Sequence, residues 1–338
     1  MKHVVVFWEG LPSCGLLLKS LLEDSDIRLT LYATRPAVPF KDIDRLLGTK
    51  VNYVDRPEDI VFSEIFDIDL FIFTGWNNKF LLSLSQKLKC KGVKTALVSD
   101  NNLTYSLRQL IGSFYFRIFV KPKINFAFVP GQSGFSLMKF FGMASSAIFI
   151  GNYGAFSQIF NTCGEVKEDS ILYVGQLSDR KNFRLLLEAY DYYRRNGGTL
   201  SLTVAGTGEY EHLASEHELV DYLGFVQPHD LAQLMKKSKF FVLLSKDEHW
   251  GTVVCEAAAC GCVLVTSDKV GSNSDLIMNN INGYVVQDLD KRTISELFHK
   301  CGSLSPSLFS GMSKSSIQKA GCFNEETYKL AVKNMLMD

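Results

Sequence analysis

Two carboxylates eight positions apart, Glu248 and Glu256, flank a glycine in the stretch Phe241 to Ser267, FVLLSKDEHWGTVVCEAAACGCVLVTS. The residues after Gly251, Thr252 to Cys260, are rich in alanine and read as a helix. A helix start carries unpaired N–H groups and the positive end of the dipole, so it favours phosphate. Gly251 removes a side chain where a backbone must come close. The N–H groups of Thr252 and Val253 would then face a diphosphate. Neither glutamate should touch that diphosphate, because like charges repel. Each can accept hydrogen bonds from hydroxyls on either side of it. A diphosphate with hydroxyl-rich groups on both sides is a sugar nucleotide, with the sugar near Glu248 and the ribose near Glu256. The alternative is that Asp247 and Glu248 cap a helix and Glu256 is an ordinary helical acid.

Positioning such a site takes a strand before it and a strand after it. Phe241 to Leu244 is an apolar run short enough for a buried parallel strand, Ser245 to His249 a polar loop, and Cys262 to Thr266 the next strand. Gly261 suits the residue just past the helix end. The same pattern of strand then loop places other polar groups where a crevice forms in an open α/β sheet. Gly175 to Lys181, GQLSDRK, follows a strand over Ile171–Gly175. Gly206-Thr207-Gly208 permits close backbone approach to a nucleotide, or is a plain turn. Lys269 to Asp275 shapes a sugar pocket, or is a loop with Ser274 or Asp275 as a helix cap. Asp100, Asn101 and Asn102 end a strand and could bind sugar hydroxyls, or form asparagine turns. None of the histidines pairs with a Ser or Cys in a nucleophile motif.

Strands are expected over residues 3–8, 28–32, 69–73, 93–98, 126–129 and 147–150, then 171–175, 200–205, 220–225, 240–244, 263–266 and 284–286. Helical stretches lie between several of them: one opens at Gly15, another covers Asn182–Arg195. This alternation implies mostly parallel sheets covered by helices. The first strand, Gly-containing loop and helix begin a nucleotide-binding type of unit, yet Gly-x-Gly-x-x-Gly is absent and a dehydrogenase is not expected. With 338 residues the chain can form two domains. Gly151-Asn152-Tyr153-Gly154 reads as the hinge after the first. The formal net charge is zero, which argues against nucleic acid as a partner. Residues 1–155 carry 18 Lys+Arg against 13 Asp+Glu, a net of +5, and the remainder 18 against 23, a net of −5. The 8 cysteines have no paired Cys-x-x-Cys spacing, so a zinc site is not expected. Cys255, Cys260 and Cys262 read as small buried hydrophobes in a reducing, cytoplasmic compartment. The start MKHVVVFWEG reads as a strand and not a signal peptide, and no apolar run is long enough to span a bilayer.

Glu248-His249-Trp250-Gly251-Thr252-Val253-Val254-Cys255-Glu256 resembles the signature of glycosyltransferase family 4, retaining enzymes of the GT-B fold. Ser267 to Gly271, Asp275-Leu276 and Asn282-Gly283-Tyr284 are similar to the family as well. The resemblance covers about residues 170–290 and is weak before that. It implies α/β architecture, with two Rossmann-like domains whose parallel sheets face across a cleft. Residues 1–154 would form an acceptor-side domain, 155–320 the nucleotide-sugar domain, and 321–338 a helix crossing back to the first. It implies that Lys181 neutralises the donor diphosphate. Gln176 stands where the family carries an arginine, so Arg180 partly compensates or Gln176 bonds the diphosphate as a neutral donor. Leu223 to Val226, with Phe225, resembles the segment whose backbone reads the base, and uracil and guanine stay unresolved. Cys14-Gly15 occupies the place of the Gly-rich loop that approaches the diphosphate from the acceptor side. Glu248 and Lys181 are therefore the candidate catalytic residues. The donor-binding set is Glu256, Gly251, Thr252, Val253, Gln176, Arg180, Gly206, Phe225 and Gly15, with Asp100 and Asn101 on the acceptor side.

The activity implied is transfer of a sugar, with retention, from a UDP-sugar or GDP-sugar to a hydroxyl of a glycan or lipid-linked saccharide in surface polysaccharide synthesis. Neither metal nor other cofactor is expected: no Asp-x-Asp pair lies at the crevice, and Lys181 with a helix start supplies the positive field. The competing readings are a sugar-nucleotide epimerase on the same fold and a non-catalytic binding subunit, the latter favoured by Gln176. Leu107 to Phe126, LRQLIGSFYFRIFVKPKINF, interleaves aromatic rings with cations. It reads as a peripheral contact with an anionic membrane at its cytoplasmic face, or as a core stripe at helical spacing.

Overall fold

The structure, a computed structural model, describes residues 1–9, 13–35, 39–40, 43–60, 67–162 and 164–337. Part of the loop expected over Glu9–Cys14, and Cys163, lie outside the described residues. The chain divides into two compact units, Met1–Gly154 with Phe323–Asp338, and Ala155–Cys322.

Unit 1 is built on strands β1 (Lys2–Trp8), β2 (Ile27–Ala33), β3 (Asn52–Tyr53), β4 (Leu70–Thr74), β5 (Lys94–Val98), β6 (Phe126–Val129) and β7 (Ile148–Ile150). They form a parallel sheet in the order β3-β2-β1-β4-β5-β6-β7. Val4 to Trp8 are all buried, as the near-continuous apolar run of β1 requires of a central strand covered on both faces. The edge strand β3 was not expected: two half-buried residues carry no periodicity to read. The helix expected from Gly15 begins as a 3-10 turn over Ser13–Leu18 and becomes α-helical only over Lys19–Leu22.

Unit 2 holds β8 (Glu168–Val174), β9 (Ser201–Ala205), β10 (Val220–Tyr222), β11 (Ser238–Leu243), β12 (Val263–Ser267) and β13 (Gly283–Val286). Their order is β10-β9-β8-β11-β12-β13, again all parallel. The strand expected over Val220–Phe225 stops at Tyr222, because Gly224 at φ +65° turns the chain away. The short helix Asn273–Leu276 has Ser272 at its N-cap, not Ser274 or Asp275. The Ser274 hydroxyl donates to Asp275 Oδ2 at 2.8 Å instead. Cys255, Cys260, Cys262 and Cys301 are buried. Loss of solvation pushes the Cys255 and Cys301 thiols up to about 12, so they stay protonated.

The two glycines read as a hinge have a packing role. A Cβ on Gly154 would lie 2.4 Å from the Phe323 carbonyl oxygen, and one on Gly151 would lie 2.9 Å from Thr327 Cγ2. Their bareness lets the chain run against the segment that leads into the helix Glu325–Met337. That helix buries Tyr328, Val332 and Met335 in unit 1, with the Tyr328 ring 5.1 Å from Phe128.

Candidate functional site

Both sheets reverse their strand order once, between β1 and β4 in unit 1 and between β8 and β11 in unit 2. At such a point the connections leave in opposite directions, and the carboxyl ends of the two strands open a crevice. In unit 2 the loops after β8 and β11 carry Gly175–Lys181 and Leu244–Gly251, the segments singled out in the sequence.

Lys181 Nζ donates to Glu248 Oε2, and the two side chains are nearly buried. Arg180 Nη1 lies 3.9 Å from the same carboxylate oxygen, and Ser245 Oγ donates to it at 3.4 Å. The loops are tied together by backbone as well. Lys246 N donates to Arg180 O at 2.9 Å, and Arg180 Nη1 donates to Asp247 O at 2.9 Å. On its other side Glu248 pairs with the loop after β12: its N–H donates to Lys269 O at 3.2 Å, and Gly271 N donates to Glu248 O at 3.0 Å. Glu248 is thus fixed from three strand ends. Its charge, after burial itself, holds the neighbouring Tyr173 hydroxyl protonated, and that hydroxyl donates to Gln176 O at 2.8 Å.

Gly251 caps the helix Thr252–Ala259 at φ +82°, ψ +64°, with no side-chain cap. A residue with a Cβ is strained there, and the added atom would sit 3.2 Å from Glu248 Cγ. Helix geometry leaves the N–H groups of Thr252 and Val253 without intrahelical acceptors beside Glu248. Glu256 lies one turn inside, on the stripe of Thr252, and is buried.

The remaining donor-side candidates are placed differently. Gln176 is exposed, and its backbone carbonyl is what the fold uses. Gly206, at φ +145°, abuts the preceding strand-end loop: a Cβ there would collide with the Gly175 carbonyl oxygen, and one on Gly208 would lie 2.5 Å from Leu177 O. Both glycines are therefore required by contact between loops inside the protein. Gly206 N donates to Gly224 O at 2.7 Å, which places the half-buried Phe225 next to that loop. Tyr222 donates to Gly206 O at 3.1 Å, and burial, then a hydrogen bond with Glu211, pushes its hydroxyl up to about 12. Gly15 is buried in the 3-10 turn after β1 in unit 1.

At the switch point of unit 1 a cavity of about 280 Å³ is lined by Asp100 and Asn101 together with Trp8, Glu9, Trp76 and Tyr153. Tyr153 donates to Asp100 Oδ2 at 3.5 Å, and the rings of Trp8 and Tyr153 stack at 6.1 Å. Glu9 is set by its N–H donating to Thr74 Oγ1 at 2.8 Å. Carboxylates beside aromatic faces suit a saccharide, whose hydroxyls donate while its C–H faces lie on rings. Sequence reasoning found Asp100 and Asn101 but not the aromatic lining. Trp8 ends β1, Glu9 follows it and Trp76 follows β4, so the lining forms only because β1 and β4 are neighbours in the sheet.

Residues 158–304 match the family model described as glycosyl transferases group 1. That segment holds Lys181, Glu248, Gly251 and Glu256. Over 124 residues the chain is 32% identical to an uncharacterized glycosyltransferase of Methanocaldococcus jannaschii, covering 34% of this chain and 31% of that one. Over 129 residues it is 32% identical to the N-acetylgalactosamine-N,N'-diacetylbacillosaminyl-diphospho-undecaprenol 4-alpha-N-acetylgalactosaminyltransferase of Campylobacter jejuni, covering 36% of this chain and 34% of that one. The chain spans about a third of the length of the curated relatives it matches. The crystal structure of Anabaena Alr3699/HepE in complex with UDP shares the fold over 100% of both chains, with a TM-score of 0.76 at 15% identity. The two Rossmann-like parallel sheets, of seven and six strands, make the GT-B fold.

Proposed function

We propose that unit 2 binds a nucleoside-diphosphate sugar, a UDP-sugar by preference, and that the protein transfers the sugar to a hydroxyl of a glycan or lipid-linked saccharide held in the unit 1 cavity. The observation that carries this reading is the Lys181–Glu248 pair beside an uncapped helix start at the unit 2 switch point. The UDP in the Anabaena structure of like fold supports the base, and the lipid-linked substrate in the name of the Campylobacter relative supports the acceptor class. A lipid-linked acceptor would suit a role in surface polysaccharide synthesis.

In this reading the N–H groups of Thr252 and Val253 face the diphosphate, and Arg180 and Lys181 add positive charge beside it. Glu248 accepts hydrogen bonds from the sugar hydroxyls and Glu256 from the ribose. Retention follows from attack on the face the diphosphate leaves. The acceptor oxygen bonds to the anomeric carbon as the carbon–oxygen bond to the diphosphate breaks. The departing phosphate oxygen takes the acceptor proton, and the products are the glycoside and free nucleoside diphosphate. The protein stabilises the charge growing on the leaving group, without a protein nucleophile.

Calorimetry with UDP and with a UDP-sugar panel tests the ordering of the site. Glu256→Ala should weaken both UDP and UDP-sugar, because ribose is common to them. Glu248→Ala should leave UDP affinity nearly unchanged while transfer is lost. Equal losses of UDP affinity in both variants would overturn the assignment. Transfer should also persist in a chelator, since cations of the protein and the helix start supply the positive field. Activity lost in chelator and restored by manganese would contradict that. The second reading, a binding subunit without chemistry, is favoured by the exposed Gln176 where the family carries arginine. It predicts UDP-sugar binding with neither hydrolysis nor transfer.

A further inference from the structure

The sequence left the Leu107–Phe126 stretch divided between core stripe and membrane face. It folds as an α-helix over Leu107–Tyr115, a π-helical turn over Phe116–Val120 and a 3-10 turn over Lys121–Lys123. The inward side is Ser113, Phe116, Val120 and Ile124, all buried. Between inward Phe116 and Val120, the side chains of Arg117, Ile118 and Phe119 are all exposed. Leu107 is 79% exposed, Ile111 71%, Phe114 59%, Ile118 63% and Phe119 50%. Tyr105, Leu110 and Tyr115 extend the same surface. A contiguous apolar face of this kind is not left to water without a partner.

Charge selects the partner. The sequence holds no Asp or Glu between Asp100 and Glu165, while Arg108, Arg117, Lys121, Lys123 and Lys139 fall within that span. Among the described residues no carboxylate lies within ion-pair distance of Arg108, Arg117, Lys121 or Lys123. Two of these cations are held at the edge of the face by backbone: Arg117 Nη2 donates to Phe140 O at 2.8 Å and Lys121 Nζ to Gly142 O at 2.6 Å. A second copy of the chain docked by a two-fold axis would bring this cationic rim against itself, which is repulsive. An anionic bilayer offers apolar depth for the rings and aliphatic chains and negative headgroups for the rim. No helix among the described residues is long and apolar enough to cross a membrane, so the contact is peripheral.

We propose that the outward face of residues 105–119 docks onto an anionic lipid surface, with Phe114, Ile118 and Phe119 at headgroup depth and Arg108, Arg117 and Lys121 on the lipid phosphates. The surface is independent of the transfer reading, because no donor or acceptor enters its test. The full chain is floated with vesicles of phosphatidylcholine alone and of phosphatidylcholine with phosphatidylglycerol, at low and high salt. Binding should require the anionic lipid and fall as salt is raised. Phe114→Ser/Ile118→Ser should lower the partition by about tenfold or more, since each side chain loses its apolar burial. Arg108→Gln should lower it by about fivefold, one cation's share. The thermal midpoint should not drop in either variant, because these side chains are exposed. Absence of flotation with anionic vesicles at low salt overturns the proposal, as does equal partition of wild type and Phe114→Ser/Ile118→Ser. So does a concentration-dependent dimer, seen by sedimentation, that this double variant abolishes, since the face would then belong to a second copy.

Discussion

Lys181 and Glu248 are 67 positions apart and meet because β8 and β11 are neighbours in the sheet. Each neutralises the other in a site with little water, so removing Glu248 takes the carboxylate from Lys181, and removing Lys181 leaves Glu248 the weaker, more distant Arg180 and the Ser245 hydroxyl. Lys181→Met and Glu248→Gln should therefore each lower the melting temperature, and the double variant should recover part of the loss. The coupling expected for such a contact is about 1–3 kcal/mol. Strict additivity would mean that the pair is a surface contact of no consequence. On the proposed function transfer should fail in all three variants, because restoring charge balance does not restore the acceptor that Glu248 would offer to the sugar hydroxyls. The neighbouring glycine separates site from scaffold in the same way. Gly251→Ala should depress activity through Glu248, which the new methyl group would press.

Loops at strand ends, rather than strands, carry the strongest steric demands of unit 2. A methyl group at Gly206 meets the Gly175 carbonyl, and the backbone there is positive in φ. Gly206→Ala should cost about 3 kcal/mol of stability. A denaturation midpoint equal to wild type would show that the two loops can part without penalty. The sequence made most strands legible because buried parallel strands are near-continuous apolar runs, as in β1 and β11. It made Glu248, Gly251 and Glu256 legible because they sit on one strand–loop–helix unit with local spacing. It did not expose the Lys181–Glu248 contact or the Trp8, Trp76 and Tyr153 lining, since these depend on which strands become neighbours. Nor did it show that Gly151, Gly154 and Gly206 serve packing, because a glycine's neighbour in space leaves no mark in its own segment. The link between Asp24 and Lys333, 2.6 Å apart, is of that long-range kind too. The Lys333 hydrogen bond holds the Asp24 carboxyl below its usual range. A lowered carboxylate contributes stability above its unfolded pKa of about 4 and loses that contribution as pH falls through the folded value. Asp24→Asn should thus lower the melting temperature at pH about 7 and converge with wild type on acidification below about 4. A gap that persists in acid would assign the effect to packing instead.

Unit 2 is one continuous segment, Ala155–Cys322, whereas unit 1 needs both ends of the chain. That asymmetry has a consequence for the whole molecule. The helix Glu325–Met337 contributes Tyr328, Val332 and Met335 to the interior of unit 1, with Tyr328 against Phe128 of β6. Burying three large side chains is worth on the order of 5 kcal/mol, comparable with the whole stability of an ordinary domain. A chain truncated after Cys322 should therefore lose the cooperative melting of unit 1 while unit 2 keeps its own. Residues 155–322 alone should fold and bind UDP within a few-fold of the full chain, because Lys181, Glu248, Thr252, Val253 and Glu256 all lie inside them. Transfer should vanish in both, since the cavity of Trp8, Asp100 and Tyr153 belongs to unit 1. Calorimetric scans of the full and shortened chains, with and without UDP, separate the outcomes. If unit 1 still melts cooperatively after truncation, the terminal helix is an accessory to that core and not part of it. If residues 155–322 fold but fail to bind UDP, the donor site needs residues that unit 1 supplies.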